Sequence, residues 1–325
     1  MAARRVSNIL IGIIIAAALC ALVAAVLRSD WFTAPAAGPV PEVRQLPDEL
    51  LRYRQAASLA TGLRQPLAIA AGPGPTLYVA GDKAVTAAGP IRSDDCAGVS
   101  VLTFAELPTA PTALVADDKW LYVASGSQVM RFDLEGKRDA AFRTEPLPGS
   151  ALITSLAVRD QDLLVADAGN RTLWRLEDGK VAGKATGFAI PSPYFALAMA
   201  PDGLLRVAHS GAQRIEAYTP DTLGREFAWG IAGAGAAGFV GCCNPSHIAM
   251  LPDGRLVTSE KGQWPTVKVF RPDGPNARSG ELDAVVAGPR QLGGGDGAWP
   301  VAVDASGRVY VLDESAATVR VFVRK

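Results

Sequence analysis

Histidine and cysteine are scarce, at 2 and 4 residues in a chain of 325. So few cysteines exclude a scaffold built on disulfides. No charge of either sign predominates. Lys+Arg and Asp+Glu both number 32, for a formal net charge of zero. That balance excludes the basic surface of a nucleic-acid binder and the polyelectrolyte character of a disordered chain. The Gly-x-Ser-x-Gly elbow and the His-Glu-x-x-His motif are absent, which removes two common hydrolase signatures. Beyond residue 55, little of the sequence carries the 3.6-residue apolar period of an amphipathic helix. Turn formers are plentiful, with Gly 33 and Pro 23, as suits many short strands joined by tight turns.

One long apolar run stands near the start. Residues 9–27 carry no charge, and as a helix they would rise about 28 Å, close to the roughly 30 Å of a bilayer core. Arg4 and Arg5 precede the run and favour a cytoplasmic amino terminus. The expected organisation is a cytoplasmic stub at 1–8, a single-pass transmembrane signal-anchor at 9–27, an extracytoplasmic linker at 28–53 and a folded domain at 54–325. The protein then resides in the cytoplasmic membrane with its folded domain in the periplasm or extracellular space. Signal-peptide cleavage is the competing reading. Against it, no good small-x-small site closes the run, and Leu19 precedes Cys20 where a lipoprotein carries a small residue. The linker begins with the interfacial aromatics Trp31 and Phe32 and continues through the proline-rich stretch 34–41.

From residue 54 the chain repeats. A short apolar run, a polar turn and a run ending in small residues or Asp recur, followed by a run with period-two alternation. The second runs share a valine at 79, 123, 165, 207, 257 and 311. That spacing of roughly 42–54 residues suits a four-stranded propeller blade. Alternating third runs include Leu173-Trp174-Arg175-Leu176 and Val267-Lys268-Val269-Phe270. Turns such as Pro201-Asp202-Gly203, Pro252-Asp253-Gly254 and Asp178-Gly179 separate strands. The sixth unit ends at Lys325 without an outer strand, and residues 55–60 are placed to supply it. The expected fold is all-β, a six-bladed propeller preceded by the transmembrane helix.

Two stretches resemble NHL repeats: Pro245-Ser246-His247-Ile248-Ala249 through Thr258, and Val301-Ala302-Val303-Asp304 through Asp313. The resemblance spans residues 54–325 and implies a six-bladed β-propeller. Cys242-Cys243-Asn244-Pro245, followed by Ser259-Glu260-Lys261-Gly262, resembles a subgroup of bacterial NHL-repeat proteins with Cys-Cys-Asn-Pro and Ser-Glu-Lys-Gly motifs. It implies a lineage rather than a reaction. Some enzymes of the NHL type are amidating lyases with a three-histidine zinc centre, and this chain cannot supply three histidines.

In a propeller, the loops into the inner strands and those between second and third strands share one face. That topology places Cys242, Cys243, Asn244 and His247 around one mouth of the central channel. Asp167, Asn170, His209, Glu260, Lys261, Asp313, Glu314 and Trp264 ring the same mouth. His247 stands where other units have Ala113, Ser155, Ala196 and Pro300. It reads either as half of an acid/base or metal pair with His209, or as a polar loop residue bonded to backbone. Cys242-Cys243 reads as buried loop structure, as a vicinal disulfide or redox pair, or as a soft-metal site with His247. For Asp167 to Asn170 structural capping is the default. Trp264 is either a ligand contact or core packing. The glycine-rich stretches 233–238 and 293–297 lack the Lys-Ser/Thr ending of a phosphate cradle and read as connections. The sequence thus points to a membrane-anchored scaffold that binds an envelope protein or a small ligand at the channel mouth, with no nucleic acid involved. The alternative is a redox-active or metal-dependent enzyme using Cys242, Cys243, His209, His247 and Glu260.

Overall fold

The alternating runs become β-strands, and these gather into six antiparallel sheets. The computed structural model describes residues 46–272, 280–293 and 297–325. The apolar run at 9–27 and most of the linker lie outside them. No helix among the described residues is long and apolar enough to cross a membrane.

The first strand, β1 (Tyr53–Ala60), is held back for the end of the ring. Blade one comprises β2 (Pro66–Ala71), β3 (Leu77–Gly81), β4 (Ala84–Gly89) and β5 (Ser100–Glu106). Blade two has β6 (Pro111–Ala116), β7 (Trp120–Ser125) and β8 (Gln128–Asp133). Blade three has β9 (Ile153–Arg159), β10 (Asp162–Asp167), β11 (Thr172–Glu177) and β12 (Lys180–Ala185). Blade four has β13 (Ala196–Met199), β14 (Leu205–His209), β15 (Arg214–Tyr218) and β16 (Arg225–Trp229). Blade five has β17 (His247–Met250), β18 (Leu256–Glu260), β19 (Thr266–Pro272) and β20 (Gly280–Ala287). Blade six has β21 (Val301–Val303), β22 (Val309–Asp313) and β23 (Thr318–Arg324), with β1 as its outer strand. The pairing runs from Tyr53 opposite Arg324 to Ala60 opposite Thr318. It joins the two ends of the folded region and removes an open edge.

Turn chemistry follows the sequence. Asp178 and Gly179 both have positive φ, 48° and 77°, as a tight two-residue hairpin requires. Blade two departs from the four-strand pattern. An irregular segment covers the outer edge of β8 instead: the Asp139 amide donates to the Arg131 carbonyl at 2.9 Å, and the Val129 amide to Thr144 Oγ1 at 2.9 Å.

The core is six clusters, one in each gap between successive blades. Between blades five and six, for example, Val257, Val267 and Val269 pack against Val301, Val309, Val311 and Phe322. Each buried side chain of this size contributes roughly 1.5–3 kcal/mol relative to exposure. Because both faces of every sheet are covered by neighbours, no blade has a core of its own.

Cluster membership corrects the repeat alignment in blade five. Val79, Val123, Val165, Val207 and Val311 all face the preceding blade. Val257 faces the following one. Thr258, fully buried, therefore occupies the equivalent place. The ends of the second strands then align as Gly81, Ser125, Asp167, His209, Glu260 and Asp313.

Candidate functional site

Those second-strand ends carry a recurring polar latch. In blades three to six, each bonds a residue seven or eight positions further on, in the third strand. Asp167 Oδ2 accepts from Trp174 Nε1 at 3.1 Å. His209 Nδ1 lies 3.1 Å from Glu216 Oε1. Glu260 pairs with Lys268, both fully buried. Asp313 pairs with Arg320. Each pair also grips the chain entering its own blade. Asp167 accepts the Leu152 amide at 2.9 Å, His209 Nε2 the Ala189 amide at 2.7 Å, and Glu260 the Val240 amide at 2.8 Å. Arg320 donates to the Gln291 carbonyl. Three amides and one carbonyl of the incoming segments thereby gain side-chain partners.

This arrangement revises the site drawn from sequence. His209 and His247 share a face, but His209 is consumed by its latch. Its Nε2 takes the Ala189 N–H and its Nδ1 faces the Glu216 carboxylate. Glu216 is a hub that also receives Arg214, Arg225 and the Tyr218 hydroxyl. Burial alone would raise its carboxyl. The hydrogen bonds from His209, Tyr218 and Arg214 overcome that and hold it at about 2. Glu260 and Asp167 are likewise spent inside the fold, the capping role that was the default for Asp167. Asn244 is 1% exposed and engaged at both ends. Its Nδ2 donates to the Val240 carbonyl at 2.6 Å and the Lys261 carbonyl at 3.1 Å, and its Oδ1 accepts the Lys261 amide at 2.9 Å. It clamps two loops together, and both of its N–H donors are taken.

What remains at the mouth centres on Tyr194, which the sequence did not single out. The His247 ring meets it edge to face, with centroids 5.7 Å apart. The Lys261 ammonium lies 5.1 Å from its ring centroid, within cation–π range. Burial raises the Tyr194 phenol, and the charges of Glu314 and Cys243 push it further. The signal for Tyr194 was its place directly ahead of an inner strand, one blade before His247. Seeing its importance required knowing how those two strands lie together.

His247 sits at the start of β17, opposite Ser259. The register places it level with Ala113, Ser155 and Ala196, as the repeat alignment had it. Its Nδ1 lies 3.3 Å from Ser246 Oγ. The ring lines the channel wall yet is ringed by protein, and loss of hydration lowers its pKa to about 4. Glu314, just past the end of β22, shows the opposite effect. Burial, then repulsion from Asp313, raises its carboxyl to about 7. Among the described residues no hydrogen bond or ion pair reaches that carboxylate. Trp264 is half-buried on the adjacent loop.

Below the mouth runs the central channel, with a volume of about 320 Å³. Its wall is the six inner strands, chiefly alanine, leucine, valine and methionine, with His247 at the mouth end and Asp117 at the other. A separate cleft of about 650 Å³ lies beside blade two. There Arg131 is stacked between Trp120 and Phe142 and paired with Asp139.

Cys242 and Cys243 are free thiols, with Sγ atoms 3.1 Å apart. Cys96 is a buried free thiol on the connection between β4 and β5, at the opposite face. Among the described residues, no group of three or more His, Cys, Asp or Glu side chains is arranged to hold a metal ion. The site expected from Cys242, Cys243 and His247 is therefore not assembled. The His247 ring turns toward Tyr194 and Ser246 instead.

Comparison with known proteins adds the fold and little more. No protein-family model and no curated protein matches the chain. Among solved structures, the WD40 β-propeller domain of Doa1 superposes with a TM-score of 0.56 at 15% identity, covering 84% of this chain and 97% of that one. The chain is a β-propeller. A selenomethionine-substituted virginiamycin B lyase from Staphylococcus aureus gives a TM-score of 0.46 at 14% identity, over 62% of this chain and 63% of that one. At such identities likeness establishes architecture, not activity.

Proposed function

We propose that this propeller is a binding module whose site is the channel mouth formed by blades four to six. The ligand it suits is a small amphiphile, with an apolar body for the channel and a polar head for Tyr194, Lys261, His247 and Glu314. One observation carries the reading. His247, Lys261 and Glu314 gather around Tyr194 beside the mouth of the channel, whose wall includes His247, while the neighbouring polar residues are committed to latches and clamps. A concave site with a few convergent polar groups is the usual form of a small-molecule site. Binding is favoured over catalysis because His209 and Glu260, two members of the enzymatic alternative, are tied into the fold.

The reading extends to lineage and location. The Cys-Cys-Asn-Pro and Ser-Glu-Lys-Gly stretches support assignment to an NHL-type subgroup. The apolar run at 9–27 supports a single-pass anchor in the cytoplasmic membrane, holding the propeller in the periplasm or extracellular space. Both rest on sequence.

A ligand-observed NMR screen of small amphiphiles, run on the protein and on its Tyr194→Ala and Lys261→Ala variants, tests the site. Binders to the unaltered protein should weaken about tenfold or more in each variant, equivalent to about 1.4 kcal/mol. Binders that ignore both substitutions, or no binders at all, would refute the site. Recovery of the protein in the soluble fraction without detergent would refute the anchor.

A further inference from the structure

The paired thiols of blade five occupy unequal positions. Cys242 is exposed, and Cys243 is 2% exposed and directly behind it. Their Sγ atoms are 3.1 Å apart, about 1 Å beyond bonding distance, and a bond between them would close a strained ring across adjacent residues. The loop around them is held from both sides. Asn244 ties it to Lys261 and to the Val240 carbonyl, and Glu260 takes the Val240 amide. Cys243 itself has a φ of 71°, in the left-handed region that a non-glycine residue occupies only when its surroundings impose it. No latch, clamp or core contact described above uses the two sulfurs together.

We propose that Cys242 and Cys243 form a dithiol–disulfide exchange site, with Cys242 as the attacking thiol and Cys243 as the resolving thiol, acting on small-molecule disulfides. The Cys242 thiolate attacks one sulfur of RS–SR, forming a mixed disulfide and expelling RS⁻. The Cys243 thiolate then attacks Cys242 Sγ, closing the Cys242–Cys243 bond and expelling the second RS⁻. Two electrons pass from the dithiol to the small disulfide. The two thiol protons end on the two released RSH molecules. The order follows from access: only Cys242 faces solvent, and Cys243 is in line to resolve. Contact with Cys243 raises the Cys242 thiol, while Lys261 pulls it the other way, so exchange quickens toward alkaline pH. The inference does not depend on ligand binding at the mouth.

The test is to incubate the reduced full-length chain with oxidised glutathione at mildly alkaline pH, quench with acid and map the cysteine peptides. The unaltered protein should acquire an internal Cys242–Cys243 bond and release both glutathione halves. Cys243→Ser should stop at glutathione attached to Cys242, and Cys242→Ser should show neither product at the pair. Peptide mapping keeps Cys20 and Cys96 apart from the pair. Three results would overturn the proposal: both thiols staying free, glutathione persisting on Cys242 of the unaltered protein, or Cys242→Ser accepting glutathione on Cys243 at the same rate. The unaltered protein and the exposed Cys242→Ser variant decide the matter even if Cys243→Ser folds poorly.

Discussion

At the scale of single residues, His247 and Glu314 carry opposing pH dependences at one mouth. His247 stays neutral in the folded protein down to about pH 4, whereas the unfolded residue protonates near 6.5. Its contribution to stability is full above 6.5 and is lost as pH falls toward 4. Glu314 stays protonated up to about pH 7, whereas the unfolded residue ionises near 4.5. Its contribution is full below 4.5 and is lost as pH rises toward 7. Each is worth at most about 3 kcal/mol, less for the part of the group that keeps water contact. Between roughly pH 4.5 and 6.5 the two slopes oppose. Removing either group should therefore unmask the other. In thermal melts across this range, His247→Phe should lose stability relative to the unaltered protein as pH rises, and Glu314→Gln should gain it. Parallel curves for all three proteins would show that neither group is perturbed. The sequence marked His247 because a large ring stood where other units carry small residues. It could not mark the desolvation of Glu314, which arises from packing between blades.

At the scale of elements, the latches explain why polar residues recur at the ends of second strands. Sequence periodicity showed Asp167, His209 and Asp313 in equivalent places. It did not show that their partners were Trp174, Glu216 and Arg320, because those contacts cross a strand turn and grip the incoming loop. Lys268→Met should destabilise the domain by about 3–5 kcal/mol, since it removes the cation paired with the buried Glu260 carboxylate. The double variant Lys268→Met with Glu260→Gln should recover part of that loss. Equal denaturation midpoints for the single and double variants would show that the pair is not coupled. A backbone contact gives a second expectation. A β-carbon at Gly169 would overlap the Ser150 carbonyl oxygen, so Gly169→Ala should cost about 2 kcal/mol or more in urea unfolding. An unchanged midpoint would mean that the loop yields freely.

At the scale of the whole molecule, the ring closes through β1 and is fastened by Asp283. This carboxylate of β20 is 3% exposed and receives Arg52 at 3.3 Å, Arg255 at 2.7 Å, Arg271 at 2.8 Å and Arg324 at 3.0 Å. It joins the start of β1 and the end of β23 to blade five. Asp283→Asn should leave four guanidiniums without their shared counter-charge and lower stability by about 3 kcal/mol. Its melting temperature should also fall more steeply at low salt, where repulsion is less screened. A variant that melts with the unaltered protein at every salt concentration would remove this fastening from the account. Six blades, their turn positions and the need for an outer strand from residues 55–60 were legible in the sequence, because strand period and turn chemistry are local properties. The one-residue misalignment of blade five was not legible, since Val257 and Thr258 differ only in which neighbouring sheet they face. Local pattern thus determined which residues form strands and how many sheets there are. Only the closed ring decided which polar groups are spent on holding it and which stay open at the mouth, because burial and partner choice depend on residues brought together from different blades.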